Sequence, residues 1–502
     1  MPPPYSLSVA PMPSGGDDDS SSFSLREQNL RFILGLKLHN LRQERGLSLV
    51  QLSQGCGLSV SYLNEIEKGK KYPKTDKLLA LARALGVTYN ELVSADPGEK
   101  LRPIAALLTT RMIDDLPLDH YGISPPVLME IMAAGPDRLG AMLAFMRKLA
   151  VRFDFTVDDL LEASIRDDLE NTGYHYPELE AKAEALFAEI GWQPGSPPIL
   201  SQLRFSLIHD FGWEVDEQRM GDDPDLADVG AATALSGAKP KLYLHPALPE
   251  GRRAFFIAKE IAATALGFYE KRRRMVSEVE KGFRQMQLAA RAAYLGGALV
   301  APRKTLVDDL RSFFDQPTFS GEHLLATLAR FGGDAEVVFH RIAQLLPDLG
   351  LPTRYLVRTE PAGPTGIATV NRELRLGGLP EVPGSFTPQG RSRTSAATRL
   401  LASAADGSAL PLASAAIETC PYNGLSFLVV TVVQARPLHP RLASALSIGI
   451  PVDDTSRARI RFLQDPSLVA EAEASPTAEV ASTDRKAARR AAIGRLTSPS
   501  MR

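Results

Sequence analysis

The chain has 502 residues, a length that suggests about three domains with ample material for several buried cores. With 44% hydrophobic and 23% charged residues and a net charge of −2, it is neither a bulk polycation nor an acidic solvating chain. Its two cysteines, Cys56 and Cys420, exclude a disulfide framework and a cysteine-rich zinc cluster, so a reducing, cytoplasmic location is expected.

Residues 1–28 are rich in Pro, Ser, Gly and Asp and are expected to form a disordered arm. They carry no basic and apolar export signal. The longest apolar runs, such as Phe427 to Val430, have strand length rather than the ~20 residues of a membrane helix. No membrane partner is expected.

Residues 29–95 hold the most informative stretch. Ser48 is placed to cap a short helix over Leu49–Gln54, Gly57 suits a tight turn, and Ser59 caps a following helix to Glu67. Two short helices joined by such a turn form a helix-turn-helix unit, with Leu41, Leu52, Leu63, Ile66, Leu78, Leu81 and Leu85 as its core. Over residues 29–75 eight Lys and Arg stand against three Glu, a local charge of +5 that draws phosphate. The second helix of such a unit presents its N-terminal residues to base edges, here Val60, Ser61 and Tyr62 after the cap Ser59. Asn64, one turn on, can pair with adenine or reach a phosphate. Lys68, Lys70 and Lys71 are expected to hold the backbone rather than read sequence.

This stretch resembles the Xre/Cro-type helix-turn-helix of bacterial regulators. The residues that carry the resemblance are Leu41-Arg42-Gln43-Glu44-Arg45-Gly46-Leu47-Ser48, Gly57-Leu58-Ser59 and Ile66-Glu67-Lys68-Gly69-Lys70. It implies a lambda-repressor-like bundle, a double-stranded DNA operator and a homodimer. Leu49 stands where the family often has Gln.

A helical connector is expected over 96–173, with apolar spacing in AMLAFMRKLAVRF. From 174 to 350 helices mix with few strands. ELEAKAEALFAEIG and PILSQLRFSLIHDFG are helices closed by Gly191 and Gly212, KLYLHP is a strand, and GRRAFFIAKEIAATALGFYEK is a buried helix. A long helix covers Glu278–Val300. This order resembles the ImmA/IrrE-type metallopeptidase domain, which binds zinc through His-Glu-x-x-His on the buried helix. Here that run is Lys259-Glu260-Ile261-Ala262-Ala263, so only the general-base position, Glu260, survives. The third ligand position falls near Ala289. No two of the eight histidines stand four apart, and the nearest metal-like pair, His175 with Glu178, is broken by Pro177. No metal, no cofactor and no catalysis are expected; a zinc peptidase and an antitoxin-like interaction protein are the alternatives.

Residues 351–470 change texture, with strands in TGIATVNRELRL, LSFLVVTVVQA and ALSIGIPV, and are expected to form an α+β module for an effector or dimerisation. Residues 471–502 are expected to be a disordered basic tail. The whole arrangement resembles the ScfR/RamB-type regulators of short-chain fatty acyl metabolism, which implies an acyl-CoA-related effector. Arg252-Arg253 and Lys271-Arg272-Arg273-Arg274 are candidates for its phosphates, against solvated helix ends as the plainer reading. Trp192 and Trp213 follow helix-ending glycines and are expected to pack over those ends. Neither a P-loop nor a Gly-x-Ser-x-Gly elbow occurs. The fold class expected is mainly α: an N-terminal helix-turn-helix bundle, a mostly helical centre with a small sheet, and a C-terminal α+β module.

Overall fold

The computed structural model describes residues 31–94, 164–235, 239–269, 278–362, 367–376, 395–419 and 424–471, apart from isolated positions within them, together with residues 127, 145 and 148. The N-terminal arm, most of the connector, Cys420, the 271–274 cluster and the basic tail lie outside the described residues. The chain is mainly helical and falls into two compact units, one holding residues 31–94 and the other residues 165–269 and 286–471.

The first unit is a five-helix bundle: α1 (residues 37–44, with helical residues also at 33–35), α2 (Leu49–Cys56), α3 (Val60–Glu67), α4 (Thr75–Leu85) and α5 (Tyr89–Val93). Local chemistry sets its boundaries. The Ser48 hydroxyl accepts from the Gln51 amide while the Gln51 side chain accepts from the Ser48 amide, a reciprocal cap that starts α2. That helix runs two residues past Gln54 before Gly57, at φ 71°, turns the chain in a left-handed conformation that a side chain would resist. Ser59 then caps α3 through the Tyr62 amide. Leu38, Leu52, Leu63, Ile66, Leu81 and Leu85 form the buried centre; Leu41 packs at its rim, half-buried.

After helical residues at 165 and 167–171, the second unit continues with α6 (Pro177–Ile190) and α7 (Leu200–His209), closed as expected near Gly191 and Gly212, both at positive φ. A three-stranded sheet follows, β1 (Glu214–Asp216), β2 (Ala231–Ala234) and β3 (Lys241–Leu244), in order β1-β3-β2 with β1 parallel and β2 antiparallel to the centre. Then come α8 (Glu250–Ala265), α9 (Glu278–Val300, which belongs to this unit from residue 286 onward), α10 (Arg303–Phe314), α11 (Gly321–Arg330) and α12 (Ala335–Leu345). Gly296 of α9 meets α8 at Lys259, where an added Cβ would stand 2.8 Å from the Lys259 backbone, so the crossing needs glycine for space.

A six-stranded sheet completes the unit: β4 (Tyr355–Ala362), β5 (Ile367–Arg375), β6 (Leu412–Thr419), β7 (Ser426–Arg436), β8 (His439–Pro451) and β9 (Ala470–Glu471), in order β5-β4-β8-β7-β6-β9. The expected strands are β5, β7 and β8; β4, β6 and the helix α13 (Ala396–Ala405) add to them. Seven consecutive residues of β7, Phe427 to Val433, are buried, as a strand covered on both faces demands. Leu401 of α13 packs on Val433 and Ala445. The β7–β8 hairpin tip reaches the helical layer: Leu438 packs on the core around α8, and His439 Nε2 lies 2.6 Å from Asp228 Oδ1.

Buried ion pairs lace this unit. Arg341, fully buried, grips Glu180 with Nη1–Oε1 at 2.5 Å and Nη2–Oε2 at 2.7 Å, and the Tyr294 hydroxyl donates to the same carboxylate at 2.6 Å. Burial alone would raise the Glu180 carboxyl, but the Arg341 and Tyr294 hydrogen bonds hold it below the ordinary range. Tyr174 meets His340 Nδ1 at 3.0 Å, and burial pushes that imidazole down to about 3, so it is neutral.

Candidate nucleic-acid interface

Helix α3 sorts its residues by direction. Leu63, Ile66 and Glu67 are buried against the bundle, while successive positions of 100° place Val60, Ser61, Asn64 and Lys68 on the outward side. Ser59, Val60 and Ser61 are exposed; Asn64 and Lys68 are half-buried. The Asn64 side chain makes no hydrogen bond among the described residues, which leaves its amide for an outside partner.

Three of the expected contacts are engaged within the bundle. The Ser59 hydroxyl accepts from the Tyr62 amide at 3.2 Å. Tyr62 packs on the core beneath the Lys77 ammonium, 4.4 Å from its ring centroid, with Lys71 at 5.8 Å. Lys71 pairs with Glu65 at 2.8 Å. Glu65 sits toward the outward side of α3, where a lone carboxylate would repel phosphate, and Lys71 neutralises it. Lys70, in contrast, is exposed and makes no side-chain hydrogen bond or ion pair among the described residues.

Helix α3 is held from behind by an ion-pair network that sequence reading missed. Arg42 donates to Glu67 through Nε at 2.6 Å and Nη2 at 2.8 Å, and through Nη1 to the Leu47 carbonyl at 2.9 Å. His39 Nδ1 lies 2.9 Å from Glu67 Oε2. Burial would raise the Glu67 carboxyl, yet its hydrogen bonds to Arg42 and His39 bring it below its ordinary value. A glutamate in phase with Leu63 and Ile66 was the available signal, since a buried carboxylate demands a cationic partner. Gly35 lies against the end of α3, where a Cβ would stand 2.6 Å from the Ile66 carbonyl. Lys37 is likewise internal, donating to the Glu91 and Ser94 carbonyls at 2.8 and 2.9 Å. Two of the eight cations counted for phosphate attraction, Lys37 and Arg42, are therefore structural.

On α8, Lys259 and Glu260 are both buried. Glu260 accepts from the Thr233 hydroxyl at 3.1 Å and from the Tyr269 hydroxyl, and burial raises its carboxyl above the ordinary value. Burial also lowers the Lys259 amine. Ala289 is buried, and among the described residues no three His, Cys, Asp or Glu side chains group as metal ligands. His175 meets the Gln344 carbonyl at 2.9 Å, while Glu178 faces Arg291 at 3.4 Å. Arg252, proposed for ligand phosphate or a solvated helix end, is neither: it is buried and donates to Asp334 at 2.6 and 2.9 Å and to Glu336 at 2.7 Å. Arg253 holds the Leu248 carbonyl at 3.0 Å. Trp213 is a core residue whose indole N–H donates to Thr264 at 3.2 Å. Trp192 meets Phe187 edge-on at 5.3 Å. Among the described residues no helix is long and apolar enough to cross a membrane.

No curated protein matches the chain. Among solved structures, one described as a "Mycobacterium tuberculosis transcriptional regulator" is similar at 18% identity and a TM-score of 0.42, covering 62% of this chain and 100% of that one. Residues 38–92 match the helix-turn-helix family. The bundle of α1 to α5 is thus an Xre-type helix-turn-helix domain.

Proposed function

We propose that this protein is a sequence-specific, DNA-binding transcriptional regulator. The observation that carries the reading is the outward face of α3, where Val60, Ser61, Asn64 and Lys68 stand on a helix locked from behind by Arg42 and Glu67. A helix so held presents its side chains to a major groove with little reorganisation. The protein acts as a homodimer on a two-fold operator with half-sites about one DNA turn apart.

The second unit serves as a non-enzymatic sensing or dimerisation body. Supporting this, Glu260 accepts from the Thr233 and Tyr269 hydroxyls beside the buried Lys259, and Lys259 and Ala263 hold the positions where the resemblance expects histidine ligands. An acyl-CoA-related ligand would act by binding the DNA-competent and incompetent arrangements unequally.

Selection of genomic fragments by the full-length protein tests the reading. A shared palindromic site is expected, and Asn64→Ala should relax preference at one base pair by ~1–3 kcal/mol. Equal enrichment by wild type and an Asn64→Ala/Ser61→Ala variant would overturn it.

A further inference from the structure

We infer that Val60 reads the 5-methyl group of a thymine in the major groove and so sets one position of each half-site. The inference rests on the DNA-binding reading above and adds the chemistry of a single contact.

Val60 is the first residue of α3 and is 39% exposed, an aliphatic group on a face otherwise made of Ser61, Asn64 and Lys68. Its neighbours Ser59 and Tyr62 are occupied, the one in capping and the other beneath Lys77. Val60 and Ser61 therefore lead the surface that enters a groove.

An isopropyl group neither donates nor accepts. Of the groups displayed in the major groove, the thymine methyl is the apolar one. Against any other base edge, Val60 would strip water from donors or acceptors and return no hydrogen bond. The bundle spends no stability on keeping this valine dry, since its side chain lies outside the buried core.

Spacing adds a second constraint. Val60 and Asn64 stand at i and i+4, with Cβ atoms about 6 Å apart. Base steps of about 3.4 Å then place their two base pairs one or two steps apart.

The test uses the full-length protein and the operator obtained by selection, with each thymine replaced singly by deoxyuridine. For wild type, one substitution per half-site should weaken binding about four-fold, the worth of one methyl-sized apolar contact at about 0.8 kcal/mol. Val60→Ala should bind the thymine and deoxyuridine operators alike at that position. The position should lie within two base pairs of the one relaxed by Asn64→Ala. Indifference of wild type to every deoxyuridine, or the same sensitivity in Val60→Ala, overturns the inference while leaving specific DNA binding intact. Absence of any specific binding would instead overturn both readings at once.

Discussion

Helices α3 and α8 carry the same kinds of charged residue and put them to opposite use. On α3, Glu67 faces inward and is met by Arg42, while Glu65 faces outward and is met by Lys71. Each charge is matched where it stands, and the remaining face is left for a ligand. On α8, Lys259 and Glu260 are sequence neighbours whose side chains diverge by about 100°, and both are buried. Glu260 finds two hydroxyl donors, but among the described residues Lys259 makes no hydrogen bond. A binding surface is built by pairing the charges behind it; a helix buried on all sides must neutralise those it keeps.

The strongest break in this contrast lies in the second unit's best-matched pair. Arg341→Met leaves the Glu180 carboxylate buried beside Tyr294 alone and should lower unfolding free energy by about 3–5 kcal/mol in denaturant titrations. Arg42→Ala should destabilise the first unit by about 2–4 kcal/mol and weaken every operator, because α3 loses its rear anchor. Both pairs also leave a mark in pH. The folded Glu67 and Glu180 carboxyls lie below their ordinary 4.5, so their stabilisation is complete above that value and fades as pH falls below it. A thermal melt series down the acid range reads this directly, and Glu67→Gln should flatten it for the first unit.

Lys259 and Glu260, by contrast, each cost the fold stability, in opposite pH directions. The folded amine lies below its ordinary 10.5, so wild type loses stability as pH falls from there; the folded carboxyl lies above 4.5, so stability is also lost as pH rises from there. Both costs coexist near neutrality. Lys259→Met/Glu260→Gln should therefore raise stability at pH 7 by about 1–3 kcal/mol, and a loss would show that the charged pair supports the fold.

The smallest effect separates two adjacent lysines. Lys70→Ala should flatten the salt dependence of DNA binding by about one phosphate equivalent, whereas Lys71→Ala should change it by less than half as much, its ammonium being shared with Glu65. Equal slopes for the two variants would remove the distinction drawn from that pair.

What was legible in the sequence follows the range of the interaction. Caps and turns act over three or four residues, so Ser48, Gly57 and Ser59 bound their helices where expected, and the long helix Glu278–Val300 ends before Pro302 as its neighbours dictate. Strands β4 and β6 escaped notice because neither stands alone. β6, with its run of Ala and Ser, is a strand because β7 pairs with it along eight residues. At the interface, composition and charge pointed to α3, but the commitments of Arg42, Lys37 and Lys71 are set by partners 25, 57 and 6 residues away. Counting cations measures the field; only the fold says which of them reach a phosphate.

The hairpin tip of β7 and β8 has a consequence for how the second unit comes apart. With Leu438 seated in the core around α8 and His439 against Asp228, the six-stranded sheet and the helical layer share one block of apolar packing. Heat or denaturant should therefore melt them in a single cooperative transition, and a fragment cut near residue 351 should lose order on both sides of the cut rather than yield two survivors.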